Sequence, residues 1–172
     1  MIITLHTWTS ADKPALMALC NTVDRSFLSD RLPYPYTEAD ANWWLGMVAE
    51  NEGKEGLWRS IWADGQLVGS ISVERKDGDG HNTGELGYMI LTPWWSKGIG
   101  TEAVRQMCRI AFENLGVEQL SATVLEGNRA SERVLEKNGF RLEEKMVGAV
   151  AKGGTLMDVR VYLKVAGPVM PL

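Results

Sequence analysis

The segment Ser96-Lys97-Gly98-Ile99-Gly100-Thr101-Glu102-Ala103 divides the chain into two kinds of structure. It lies between a strand and a long helix, and its two glycines let the backbone turn tightly there. A meander of strands leads up to it, and from Gly98 to Leu115 the apolar residues recur at helical spacing. Leu57–Ala63 and Leu67–Arg75 read as strands around Asp64-Gly65, a dipeptide suited to the positive φ angles of a type I′ hairpin. Gly84–Leu91 is the third strand of this meander. After the helix come a strand over Glu118–Leu125, a helix over Arg129–Asn138 stopped by Gly139, and strands over Phe140–Val147 and Leu156–Val165. At the start, Met1–Trp8 reads as a strand, and Ser10 caps a helix reaching about Val23. Leu32-Pro33-Tyr34-Pro35-Tyr36 cannot be helical, and Thr37 caps a second helix with Glu38 and Asp40 in its first turn. The order β-α-α-β-β-β-α-β-α-β-β predicts an α+β fold: a mixed, mostly antiparallel sheet flanked by helices. The length of 172 residues fits one domain over residues 1–172.

Composition removes whole classes. Hydrophobic residues are 45% and charged residues 23%, ordinary for a globular chain. No apolar run is long enough to span a bilayer, and residues 1–12 lack a signal-peptide pattern. A net charge of −4 argues against a general nucleic-acid partner. Acidic side chains outnumber basic ones before residue 90 and the reverse holds after it, a polarity suited to a cationic ligand in the first half and an anion in the second. Cys20 and Cys108 are far apart and in no metal-ligand spacing. Cys108 lies on the apolar stripe of its helix. Neither a disulfide framework nor a metal is expected, and a reducing, cytoplasmic setting is.

The glycine segment carries the strongest chemical signal. It lies between a strand and the start of a helix, where unpaired N–H groups and the dipole favour a phosphate, and Lys97 adds a positive charge. A plain glycine turn is the alternative. So is a dinucleotide fingerprint, G-I-G-T-E-A with Glu126 as the ribose-binding acid, although that fingerprint normally follows the first strand of a parallel sheet. The second signal is Asn128-Arg129-Ala130-Ser131-Glu132-Arg133-Val134-Leu135-Glu136-Lys137-Asn138-Gly139-Phe140. Asn128 is placed as an N-cap. Ser131, three and four residues before Val134 and Leu135, faces inward and needs a hydrogen-bond partner.

Together these segments resemble the GNAT superfamily of acyl-CoA N-acyltransferases. PWWSKGIGTEA resembles its pyrophosphate loop and NRASERVLEKNGF the motif that follows it. With LPYPY-T-E-A-D-A-NWW upstream, the chain looks most like the ribosomal-protein (Rim-type) N-acetyltransferase branch. It departs from the superfamily in having Trp95 where Gln or Arg usually stands, three residues before the first glycine.

The resemblance implies a V-shaped splay between the fourth and fifth strands, with acetyl-CoA as cosubstrate. Its pantetheine arm would pair with backbone at Met89, Ile90 and Leu91, and an N–H near Met89 would face the oxyanion. Its pyrophosphate would rest on Lys97, Gly98, Ile99, Gly100 and Thr101, with Asn128 close by and Arg133, with Arg129, near the outer phosphates. Glu85, on the side of its strand that carries Gly87 and Met89, is the candidate general base, directly or through water. His81, whose unperturbed pKa is near neutral, is its rival. Ser131 is the candidate general acid toward the leaving thiol. LPYPY, Trp43, Trp44, Trp58 and Trp62 are candidate acceptor walls, although most of these tryptophans suit a core better.

The amine must be neutral to attack. At pH 7 an α-amine is ~10% neutral and a lysine side chain below ~0.1%, which favours a peptide or protein N-terminus as acceptor. A small-molecule amine, or a non-catalytic acyl-CoA sensor on the same fold, are the alternatives. A monomer or a homodimer suits either.

Overall fold

Asp64 and Gly65 adopt φ of 48° and 82°, the pair of left-handed conformations that a two-residue type I′ turn requires. In the computed structural model, which describes residues 1–76 and 82–167, this turn joins β2 (Gly56–Ala63) to β3 (Gln66–Lys76). β1 (Ile3–Thr7) lies on the outer side of β2, and β4 (Thr83–Ile90) pairs antiparallel with β3. The remaining strands are β5 (Gln119–Leu125), β6 (Arg141–Lys152) and β7 (Thr155–Val165). The sheet order is β1-β2-β3-β4-β5-β7-β6. Among the described strands only β4 and β5 pair in parallel, as a strand-helix-strand crossover demands.

That junction is short. β4 and β5 pair only at Thr83–Gln119, Gly84–Leu120 and Glu85–Ser121. Beyond Glu85 the two strands part, although β4 continues to Ile90 and β5 to Leu125. The expected splay between the fourth and fifth strands is therefore present, with its vertex at Glu85 and Ser121.

Helices cover both faces. A 3-10 turn at Ser10–Asp12 precedes α1 (Lys13–Thr22), whose N-cap is Asp12, so the first helix begins two residues later than a Ser10 cap suggested. Pro14 accounts for the shift, because proline is best tolerated in the first turn of a helix. α2 (Glu38–Asn51) starts in a capping box in which Thr37 and Asp40 bond reciprocally. α3 (Ile99–Asn114) follows the glycine segment, and α4 (Arg129–Lys137) follows β5. The final hairpin is longer than its sequence pattern implied: β6 runs on to Lys152, past an irregularity between Met146 and Val150.

The period of two along β4 sorts its side chains between two cores. Leu86, Tyr88 and Ile90 face α3, whose buried stripe is Ile99, Ala103, Val104, Met107, Cys108 and Ala111. Met89 and Leu91 pack on the other face with Leu16, Leu19, Val48 and Trp58 beneath α1 and α2. Trp58 is core, Trp44 packs edge-on against Trp8, and Trp62 packs edge-on against His6, so these aromatics build structure more than pocket wall.

Candidate active site

The loop from Thr92 to Gly98 turns the chain from the free end of β4 into α3. Ser96 and Gly98 supply the turn, with φ of 59° and 79°. Gly98 is the N-cap of α3 and uses no side chain to cap it. Among the described residues, no hydrogen-bond acceptor meets any backbone N–H from Ser96 to Thr101. A run of unpaired donors at a helix start is a ready cradle for phosphate oxygens.

These amides open onto a cleft of about 490 Å³. Its floor is β4, through Tyr88, Met89 and Ile90, and one wall is the loop and α3, through Gly98, Ile99, Gly100 and Thr101. The opposite wall is α4, through Asn128, Ser131 and Arg133. Nine residues singled out in the sequence thus converge here, Met89 among them. Lys97, within the loop, is exposed and lies outside the cleft lining. Leu91 is turned into the α1–α2 core. His81 lies outside the described residues.

Backbone direction narrows the expected pantetheine edge. The Leu91 N–H donates to the Val68 carbonyl, and Met89 pairs with Ser70 of β3. Because N–H direction alternates along a strand, Tyr88 and Ile90, not Met89 and Leu91, direct their backbone groups toward the parted edge. The Ile90 carbonyl there accepts a 2.7 Å bond from the indole N–H of Trp95. Trp95 thereby ties the loop before α3 to the strand edge.

Across the cleft, the hydroxyls of Tyr88 and Ser131 lie 2.7 Å apart. Ser131 is positioned twice, because its N–H also donates to the side chain of Asn128, the N-cap of α4. Burial pushes the Tyr88 phenol up from its ordinary pKa, and the Ser131 bond opposes part of that rise. Sequence reading missed Tyr88. The available signal was an aromatic with a polar tip between Leu86 and Ile90, on the strand face that meets α3.

Three other features were missed. Lys137, one helical turn beyond Arg133, also lines the cleft. Asn138 donates to the carbonyls of Thr101 and Val134, fixing the end of α4 against the start of α3. A further wall comes from Val23, Phe27 and Leu28, after α1. Arg25 holds that segment by donating to the carbonyls of Cys20, Leu32 and Pro33, and its guanidinium lies 4.9 Å from the Tyr34 ring centre. The β6–β7 hairpin tip clasps it too, through Lys152 to the Leu28 carbonyl and Gly153 to Asp30.

Glu85 lies at the vertex of the splay. It is exposed, on the α2 face of β4, directly across from Glu74 on β3 and beside Ser121 on β5. It is three residues from Tyr88, a rise of ~10 Å along a strand.

Residues 3–141 match the family model described as an acetyltransferase (GNAT) domain; the chain belongs to the GNAT acetyltransferase family. Among curated relatives it is 32% identical over 107 residues to a putative ribosomal N-acetyltransferase, YdaF, of Bacillus subtilis. That match covers 62% of this chain and 58% of YdaF. The chain spans about half the length of the curated relatives it matches. The ribosomal-protein-S5-alanine acetyltransferase of Vibrio fischeri superposes with a TM-score of 0.84 at 17% identity, covering 98% and 96% of the two chains. RimJ of Mycobacterium smegmatis, solved with CoA-disulfide, gives 0.82 at 17% identity, covering 95% and 82%. The expected fold and family are thereby borne out. No helix among the described residues is long and apolar enough to cross a membrane, and none of their His, Cys, Asp and Glu side chains form a metal-holding group.

Proposed function

We propose that this protein is an acetyl-CoA-dependent N-acetyltransferase that transfers the acetyl group directly to a primary amine, the α-amine of a peptide or protein N-terminus. The observation that carries the reading is the run of unpaired amides from Ser96 to Thr101 at the mouth of a sheet opened between β4 and β5. A diphosphate fits the amides, and a thin amide-bearing arm fits the parted edge. A dinucleotide fold would place its glycine loop after the first strand of a parallel sheet, whereas here the loop follows an antiparallel meander.

Acetyl-CoA supplies the acetyl thioester. Residues 97–101 hold its diphosphate, with Arg133 and Lys137 at the rim. The Tyr88 and Ile90 N–H groups lie two strand residues (~7 Å) apart, so one of them meets the carbonyl oxygen as charge develops on it and the other is left to the pantetheine arm. The amine nitrogen bonds to the acetyl carbon, the carbon–sulfur bond breaks, and the amine proton leaves toward Glu85 through water. Ser131, oriented by Tyr88 and Asn128, gives its proton to the departing sulfur and takes one back from water. The Rim-type resemblance of both motifs and the ~10% neutral fraction of an α-amine at pH 7 support the N-terminal acceptor.

Two measurements test the reading. At ~100 times its dissociation constant, acetyl-CoA stabilises the fold by ~2.7 kcal/mol, a rise of roughly 5–11 °C in melting temperature for a chain of this size. A peptide with a free α-amine gains one acetyl group with release of one CoA thiol, and the same peptide blocked at that amine gains none. A melting shift with NAD in place of acetyl-CoA overturns the cosubstrate assignment. Equal acetylation of both peptides overturns the acceptor.

A further inference from the structure

The α2 face of the sheet carries a transverse row that the transfer chemistry does not fully use. Glu74 on β3 and Glu85 on β4 are direct cross-strand partners, and Glu85 is in turn level with Ser121 on β5. Two carboxylates opposite one another on one face repel, so an apo sheet gains nothing from the pair. Glu74 is held there by the buried Trp58, whose indole N–H donates to its Oε1 at 3.2 Å. Ser121 is only 3% exposed, and its hydroxyl has no hydrogen-bond partner among the described residues. The row behind it is complete, because Gln119 bonds the Thr83 hydroxyl at 2.7 Å. An unsatisfied buried hydroxyl beside two facing carboxylates calls for a ligand that donates hydrogen bonds and carries positive charge.

Two features give that ligand a path. A Cβ placed on Gly87 would meet nothing within 4 Å, so the strand face is open between Glu85 and Met89. On the other side of Glu74 lies a groove of about 260 Å³, lined by Met47, Asn51, Glu55, Trp58, Glu74 and Arg75. The Arg75 guanidinium is committed elsewhere, to the carbonyls of Lys54 and Leu115 and to Asn82. That leaves Glu55 and Glu74 to set the sign of the groove.

We propose that Glu74, Glu85 and Ser121 form one ammonium-binding row for the acceptor, and that the groove beyond Glu74 takes a second positive charge on the same acceptor. The proposal rests on the reading of the protein as an amine acetyltransferase and specifies its substrate class: an acceptor with a cation near the reacting amine. A basic side chain early in a peptide and the far end of a small diamine share that chemistry.

The test measures KM and kcat at saturating acetyl-CoA for two matched pairs. One is a hexapeptide with a free α-amine and lysine second, against the same peptide with norleucine second. The other is 1,4-diaminobutane against 1-aminobutane. In the wild type the doubly charged member of at least one pair has a KM lower by roughly two- to fivefold, and the pair that responds identifies the source. Glu74→Gln keeps the oxygen that Trp58 needs, so the fold and the KM for acetyl-CoA hold while the gap closes. Glu55→Gln narrows the gap, and Ser121→Ala raises KM for both members alike. Equal wild-type KM within both pairs overturns the row alone, as does a Glu74→Gln variant that lowers kcat for both members and leaves the gap. If acetyl-CoA raises the melting temperature and no acceptor turns over, the acceptor reading fails and the row falls with it.

Discussion

The indole nitrogen of Trp95 and the carbonyl oxygen of Ile90 are 2.7 Å apart, and this bond fastens the loop before α3 to the parted edge of β4. A residue out of keeping with the superfamily pattern thus takes a positioning role, in which the loop and the edge share one frame. Trp95→Phe removes the donor and keeps most of the ring. One hydrogen bond contributes ~0.5–1.5 kcal/mol, so acetyl-CoA affinity should fall by roughly 2- to 12-fold. Titration calorimetry checks it, and because the same bond is present without ligand the free protein's melting temperature should also fall, by ~1–6 °C.

Gly98 and Gly100 should fail for different reasons. Gly98 has φ of 79°, and a Cβ there would meet open space, so Gly98→Ala is strained by ~1–2 kcal/mol without a clash. At Gly100 a Cβ would lie 3.4 Å from Val134 and 3.5 Å from Ile90, ordinary contact on the cleft floor. Gly100→Val therefore adds bulk where a ligand must approach. We expect Gly98→Ala to lower the free protein's melting temperature, and Gly100→Val to abolish the acetyl-CoA shift while leaving the free protein close to wild type.

The proposed proton-handling groups separate by size of effect. Positioned acid–base groups contribute ~10²–10⁴-fold. Glu85→Gln should lower kcat roughly 10³-fold, and Ser131→Ala ~10²-fold or less, because a thiol near pKa ~8.5 can leave as thiolate. Tyr88→Phe should cost no more than Ser131→Ala, and the double variant little more than either single one, since the two hydroxyls act as a pair. Profiles of kcat against pH for each variant decide this. Wild-type turnover in Glu85→Gln would shift the base role to His81.

Glu102, in the first turn of α3, has its carboxyl lowered to about 2 by hydrogen bonds from Arg105 and then Gln106. The folded state therefore favours the carboxylate. Its contribution is complete above the unfolded value near ~4.3 and drains away as pH falls toward about 2. The pair is exposed to solvent, so the amount is at most ~1 kcal/mol. Denaturant melts at pH 7 and pH 3 should show Glu102→Gln destabilising at the first pH and less so at the second.

Burial pushes both Cys20 and Cys108 up to about 11. At pH 8 on the order of 10⁻³ of each is thiolate. Neither should react with a disulfide reagent until the protein is unfolded in denaturant. A thiol-release assay then reads product CoA alone.

What could be read from the sequence was local. The glycine loop, the Asn128 cap, the Gly139 stop and the Asp64-Gly65 turn each draw on a few adjacent residues whose backbone needs are explicit. The parity of β4 was legible in its side chains. Which backbone edge faces the opening was not, because that depends on which neighbour lies on which side. The Tyr88–Ser131 bond joins residues 43 positions apart, and the Val23–Leu28 wall is held by a hairpin more than a hundred residues further on. Such contacts follow from strand order and helix placement. They become visible only when the sheet is assembled.

The parting of β4 from β5 also bears on solubility. A sheet that opens in its middle gains two inner edges, each a row of bare donors and acceptors of the kind that recruits a stray strand and seeds aggregation. Here the loop before α3, the segment after α1 and the N-terminal turn of α4 line the cleft beside the free end of β4. Another protein's strand, flanked by its own neighbours, is too thick to enter, whereas a single extended chain is not. The walls that fit the cleft to a slender ligand therefore also keep the sheet of a second folded copy from pairing with the free end of β4.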